Sequence, residues 1–253
     1  MGCGLIEYIK TNDGSNTLYS SKYSQNFHSL NDGALNESLS KYIIPSLDIF
    51  KEYTTLNILD ICFGIGYNTF ATILYILKNN LKTKINFYSV ELDLELIESL
   101  KDFDFPEEFS QIQNIITSIS NNKSYKDEQF YIEVKIDDAR NYIKNIKNID
   151  IVYQDAFSSD VNKELWTKEY FYDISKSLNK NAIITTYSIA TPIRLSIFEN
   201  DINIYEYKPK NSNRITIALN KKDIHIEENY KYIDMILKQK RNKEARALSD
   251  TII

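Results

Sequence analysis

Residues 56–68, LNILDICFGIGYN, decide the fold. The apolar run 56–61 reads as a strand, and a helix-like stretch follows at 68–78. Between them lies Asp60-Ile-Cys-Phe-Gly64-Ile-Gly66, a glycine turn from strand to helix. Glycines there let the backbone approach a ligand closely, and the helix N-terminus supplies free N–H donors. The dinucleotide fingerprint would need a third glycine where Thr69 stands. The loop therefore suits a nucleoside ligand with no pyrophosphate to seat.

Outward from this loop the chain alternates. Strand-like runs fall at 85–90, 130–136, 149–154 and 181–187, with helix-like stretches at 93–101, 138–146, 165–178 and 191–199. Such alternation predicts a parallel sheet covered by helices on both faces. The runs 201–207 and 213–219, joined by KPKNS, read instead as a closing hairpin. The expected fold is α/β, Rossmann-like, with a mostly parallel seven-stranded sheet and a C-terminal antiparallel hairpin. That is the architecture of class I S-adenosyl-L-methionine (SAM) dependent methyltransferases. A helix is expected from about Asp32 to Ile49, residues 1–30 show no clear period, and the polar stretch 102–127 reads as a loop insertion. The expected organisation is an N-terminal extension with a helix (1–50), a SAM-dependent domain (51–222) and a basic C-terminal tail or helix (223–253).

Composition allows this and excludes other classes. The chain has 253 residues, 43% hydrophobic and 26% charged, enough for one core without disulfides or metal. Cys3 and Cys62 form neither a disulfide framework nor a zinc site, which points to a reduced, cytoplasmic setting, and no metal is expected. No apolar run is long enough to span a membrane, the N-terminus is not a signal peptide, and Met1-Gly2-Cys3 lacks the hydroxyl residue at position 6 that N-myristoylation needs. The net charge of −5 argues against a general nucleic-acid coat, yet Lys208, Lys210, Arg214, Lys221 and Lys222 cluster, as do the cations of 238–246 (KQKRNKEAR). A solvated face is the ordinary reading of such runs. Oligomeric state is not legible.

In open α/β sheets ligands sit beyond the C-terminal ends of the strands. The second strand ends at Glu91, ~20 residues past the glycine loop, where a carboxylate accepts ribose hydroxyls. The third leads into Asp137-Asp138-Ala139, beside the expected adenine, and the fourth ends in Asp155-Ala-Phe157. The candidate cofactor residues are Asp60, Phe63, Gly64, Gly66, Asn68, Glu91, Asp138, Ala139 and Asp155. Any one of them alone reads as a turn or cap.

Residues 149–171, IDIVYQDAFSSDVNKELWTKEYF, resemble the D-A-F-S…N-P-E-L-W-T segment of the methyltransferase domain of the tRNA-modifying MnmC family, with Lys163 in place of the proline. FHSLNDGALNES (27–38), LDICFGIGYNT (59–69) and TTYSIATPIRLSIFE (185–199) resemble further segments of that family. The resemblance spans roughly residues 20–219. It implies SAM as cofactor and methylation of the 5-aminomethyl group of wobble (2-thio)uridine in tRNA, here in a standalone form without the family's FAD-dependent oxidoreductase domain. Asp155 would then orient the amine and take its proton. Phe157 and Tyr187 are candidates to stack on the base, and Trp166 reads equally as stacking or core. Ser188 lies in the segment after the fifth strand, Arg194, Lys208, Lys210 and Arg214 are candidate phosphate contacts, and His28 is a candidate substrate residue that also reads as structural. Two alternatives remain: a small-molecule amine transferase such as a polyamine aminopropyltransferase, and a non-catalytic SAM-fold RNA-binding protein.

Overall fold

The computed structural model describes residues 6–210, 212–220 and 229–250. Cys3, the Met1-Gly2-Cys3 motif, Lys221 and Lys222 lie outside the described residues. In chain order the strands are β1 (Ile6–Lys10), β2 (Asn16–Ser20), β3 (Gln25–Asn26), β4 (Thr55–Ile61), β5 (Lys84–Glu91), β6 (Ser124–Lys126), β7 (Phe130–Ile136), β8 (Ile149–Gln154), β9 (Leu178–Thr186), β10 (Asn203–Tyr207), β11 (Ile215–Leu219) and β12 (Tyr230–Tyr232). The main sheet runs β12-β10-β11-β9-β8-β4-β5-β7-β6. Its five-strand middle is parallel, and β11, β10 and β12 continue it antiparallel beyond β9. The α/β class and the closing hairpin are as the sequence predicts.

The central strands are continuous apolar runs because both faces are covered: every residue of β8 is buried, and so are Leu56, Ile58, Leu59 and Ile61 of β4. On one face helix Tyr67–Lys78 packs with Phe70, Ile73 and Ile76 inward; on the other, helix Lys168–Ser177 buries Tyr170, Phe171 and Ile174 with Trp166 beside them. The strand order reverses between β4 and β8, so their ends open the crevice that positions the site.

The structure corrects several boundaries. The sheet has nine strands rather than seven, the additions being the short edge strands β6 and β12. The expected loop at 102–127 is a 3₁₀ turn (Glu107–Ile112), a helix (Gln113–Asn122) and β6. Its core residues, Ile115, Ile116 and Ile119, are at helical spacing but diluted among Asn, Gln and Ser. Residues 6–26 hold a three-stranded antiparallel sheet, β1-β2-β3, whose strands are too short to show a period. The helix expected at 32–49 is α-helical over Ala34–Glu37 and Ile44–Ile49 but π-helical over Ser38–Ile43. The basic C-terminal segment forms helix Met235–Arg241, and the residues after this helix are tied down. Arg140 forks onto Asp250, at 2.8 and 2.6 Å, while the Leu248 carbonyl accepts from the Lys168 N–H and the Leu248 N–H donates to the Ser196 hydroxyl. No helix among the described residues is long and apolar enough to cross a membrane.

Candidate active site

Three left-handed residues, Cys62 (φ 60°), Gly64 (φ 56°) and Gly66 (φ 79°), turn the end of β4 into helix Tyr67–Lys78. A methyl at Gly66 would lie 2.5 Å from Phe70 Cε2 and 2.8 Å from the Phe63 ring, so only glycine fits. The Phe63 N–H donates to the Val90 carbonyl (3.0 Å) and the Gly64 N–H to Glu91 Oε2 (2.9 Å), which locks the loop to β5. The other carboxylate oxygen of Glu91 accepts from the backbone of Leu92 (2.8 Å) and Asp93 (3.0 Å). Burial pushes the Glu91 carboxyl up and these three N–H bonds pull it back. Asp138 caps the short helix Ala139–Tyr142 by accepting from the Arg140 N–H at 2.8 Å.

These elements form one wall of a cavity of about 1200 Å³. A single ligand pocket is typically about 300–1,000 Å³, so there is room for a cofactor and an acceptor group. Asp and Glu outnumber Lys nine to two among its described lining residues, which favours cationic ligands. The cofactor half is lined by Phe63, Gly64, Asn68, Glu91, Asp138 and Ala139; Gly64, where a Cβ would come within 3.2 Å of the Phe27 ring, and the Glu91 carboxylate at the end of β5 fit SAM. The opposite half is built by the N-terminal segment, with Tyr23, Phe27, His28, Glu37 and Lys41, and by Phe157 and Tyr187.

Asp155 stands where the two halves meet. Its Oδ2 accepts from Asn68 Nδ2 (2.8 Å), at the start of the cofactor helix, and its Oδ1 from the Tyr42 hydroxyl (2.6 Å), in the N-terminal helix. Burial, followed by the nearby Glu37, raises its pKa above the ordinary carboxylate range, while His28 and the two hydrogen bonds oppose this. Phe157 meets Tyr23 at 4.7 Å and Phe27 edge-on at 5.2 Å, an aromatic wall beside the carboxylate. The Tyr187 hydroxyl donates to the Ala156 carbonyl at 3.0 Å.

Several expected residues have other duties. Asp60 lies buried beneath the loop, accepts from the Thr69 hydroxyl (2.7 Å), and has its pKa pushed up to about 8 by burial; Gly66 shapes the turn, and neither lines the cavity. Arg194, expected at a phosphate, is 2% exposed and bonded to Thr216 Oγ1 (2.9 Å) and Glu206 (3.2 Å), which excludes it from solvent contacts. Ser188 is buried, its carbonyl accepting from Thr216 and its hydroxyl from the Ala190 N–H, and it does not line the cavity. Trp166 is core: it is fully buried, and its indole N–H donates to the Phe157 carbonyl at 2.7 Å. Lys208, Lys210 and Arg214 lie on the β10–β11 hairpin outside the cavity; Lys208 donates to the Ser212 carbonyl and Arg214 stays 63% exposed with Glu206 at 3.4 Å. His28 does line the cavity, buried with Nδ1 3.3 Å from Thr17 Oγ1 and its pKa lowered by burial. Sequence reasoning missed Tyr23, Gln25, Glu37, Lys41 and Tyr42, although 27–38 marked the neighbourhood.

Residues 106–222 match a family model described as S-adenosyl-L-methionine-dependent methyltransferase. The chain is similar to an uncharacterized protein of Methanocaldococcus jannaschii, 30% identical over 83% of this chain; it spans 58% of that relative's length. Among solved structures it is similar to MnmC2 from Aquifex aeolicus, with TM-score 0.82 and 28% identity over 98% of this chain and 79% of that one. Spermidine synthase from Thermotoga maritima (TM-score 0.53, 15% identity over 97% of this chain and 81% of that one) shares the fold alone.

Proposed function

We propose that this chain is a SAM-dependent methyltransferase of the MnmC type and methylates the 5-aminomethyl group of wobble (2-thio)uridine in tRNA. The observation that carries this reading is the Asp155 carboxylate, held from both halves of one cavity by Asn68 and Tyr42. SAM, when bound, supplies a methyl group already activated by its sulfonium. The protein's task is then to align the acceptor and take a proton from it, and alignment alone is worth on the order of 7–11 kcal/mol.

An aminomethyl group reaches neutral water largely as an ammonium, which has no lone pair. The acidic cavity attracts that cation, and Asp155 accepts its proton; the freed nitrogen lone pair would form the N–C bond as the methyl–sulfur bond breaks and the sulfur leaves as a neutral thioether. A carboxylate with raised pKa is a better proton acceptor than an ordinary aspartate. The wall of Tyr23, Phe27 and Phe157 suits a flat pyrimidine extruded from the anticodon loop. The cavity's acidity disfavours phosphates inside it, so the tRNA backbone stays outside, where Arg214, Lys240 and Arg241 are exposed.

The aminopropyltransferase alternative rests on fold alone, and the non-catalytic one leaves the clamped Asp155 without a task. The test is nucleoside analysis of tRNA from a strain lacking this gene. The reading predicts accumulation of unmethylated 5-aminomethyl uridine; an unchanged profile rejects it.

A further inference from the structure

The π-helical turn Ser38–Ile43 is where the N-terminal helix meets the active site. Such turns insert an extra residue into the helical ladder and recur at functional sites. This one delivers Lys41 to the cavity wall and Tyr42 to a carboxylate that lines it. Lys41 Nζ lies 2.7 Å from both Asp32 and Glu37, while Tyr42, fully buried and edge-on to Tyr153 at 5.9 Å, sends its hydroxyl to Asp155. The turn is anchored to the sheet as well, because the Lys41 carbonyl accepts from the Thr185 hydroxyl of β9 at 2.8 Å.

We infer that Tyr42 is a positioning residue for methyl transfer: from a π turn fixed to β9, it holds the Asp155 carboxylate ionised and aimed at the acceptor amine. The inference rests on the proposed role of Asp155 as proton acceptor. Asn68 and Tyr42 occupy different oxygens, so the carboxylate cannot rotate without breaking both bonds. Burial raises the Tyr42 phenol well above its usual range, so it serves only as a donor. The titratable groups facing Asp155 are Glu37, balanced by Lys41, and His28 from the N-terminal segment, Asp60 and Cys62 from the end of β4, and Tyr187 after β9. The Tyr42 hydroxyl is bonded to the carboxylate itself, whereas the Tyr187 hydroxyl donates to the Ala156 carbonyl. Removing a hydrogen bond to the charged form favours the protonated form. Phenylalanine preserves the packing on Tyr153 and removes that bond.

The experiment compares wild type and Tyr42→Phe on tRNA carrying 5-aminomethyl uridine, recording kcat/KM against pH and SAM affinity separately. The same acceptor is used throughout, so its own titration cancels. The acidic limb moves up by about one pH unit in the variant, with up to about a tenfold loss below it, recovery above it, and unchanged SAM binding. Thr185→Val, which loosens the turn's anchor, moves the limb in the same direction by less. If Tyr42→Phe neither folds nor binds SAM, the Thr185→Val profile decides alone. A folded, SAM-binding Tyr42→Phe whose limb coincides with wild type, or a uniform loss at every pH, overturns the inference. Absence of methyl transfer by the wild type overturns the proposed function instead, and this inference with it.

Discussion

Gln25 and Ser158, separated by 133 residues in sequence, hold each other by two hydrogen bonds: Gln25 Nε2 donates to Ser158 Oγ at 2.6 Å, and the Ser158 N–H donates to Gln25 Oε1 at 3.2 Å. The pair fastens the N-terminal strand β3 to the loop after β8, and so fixes Tyr23 and Phe27 against Phe157. Gln25→Ala should loosen the acceptor wall and leave the cofactor half intact. Steady-state kinetics are expected to show KM for tRNA rising by up to about tenfold, the scale of one or two modest hydrogen bonds, with SAM affinity unchanged. An equal loss of SAM affinity would mean that the latch supports the whole site instead.

Asp155→Asn keeps the shape of the side chain and removes its basicity. The expected result is a fall in kcat of about 10²–10⁴, typical of a lost general base, with the melting temperature and SAM affinity little changed. Retention of most activity would remove Asp155 from the proton path.

Asp60 gives a pH-dependent stability signal independent of catalysis. Its folded pKa, about 8, lies above the ordinary carboxylate value of 3.8. The native state therefore holds a proton that the unfolded chain releases, and stability falls as pH rises from about 4 through about 8. Asp60→Asn removes this slope. At pH 9 the variant is expected to melt above wild type by at least about 2–4 °C, equivalent to about 1 kcal/mol in a chain of this size. Parallel melting curves for the two proteins across that range would show that Asp60 is ionised in the fold.

For the basic C-terminal helix, truncation is a poor test, because the segment behind it holds Arg140, Glu169 and Ser196. Charge reversal at the exposed Lys240 and Arg241 is cleaner. If both contact phosphates, tRNA binding weakens and its log–log salt slope flattens by about 1.4–1.8. An unchanged slope returns this helix to the status of a solvated face.

The strands β4, β5, β7, β8 and β9 were legible in the sequence because doubly covered parallel strands are continuous apolar runs, and the positions of Glu91, Asp138 and Asp155 came from their strand ends. The N-terminal sheet was not legible, since two- to five-residue strands carry too little periodicity. Neither was Tyr42: a helical spacing rule places it on an apolar face with Ile43, and only the π turn and the fold bring its hydroxyl to a carboxylate 113 residues away. Arg194 misled for the opposite reason, as a cation in a familiar segment that lies buried on helix Thr191–Phe198, paired with the half-buried Glu206 of β10.

The most direct test of the central claim is incubation of the purified protein with methyl-labelled SAM and tRNA carrying 5-aminomethyl uridine, followed by nucleoside mass spectrometry. The account predicts one labelled methyl on the aminomethyl nitrogen of the wobble uridine, lost with Asp155→Asn. Label on another nucleoside, on a free diamine, or nowhere would contradict it.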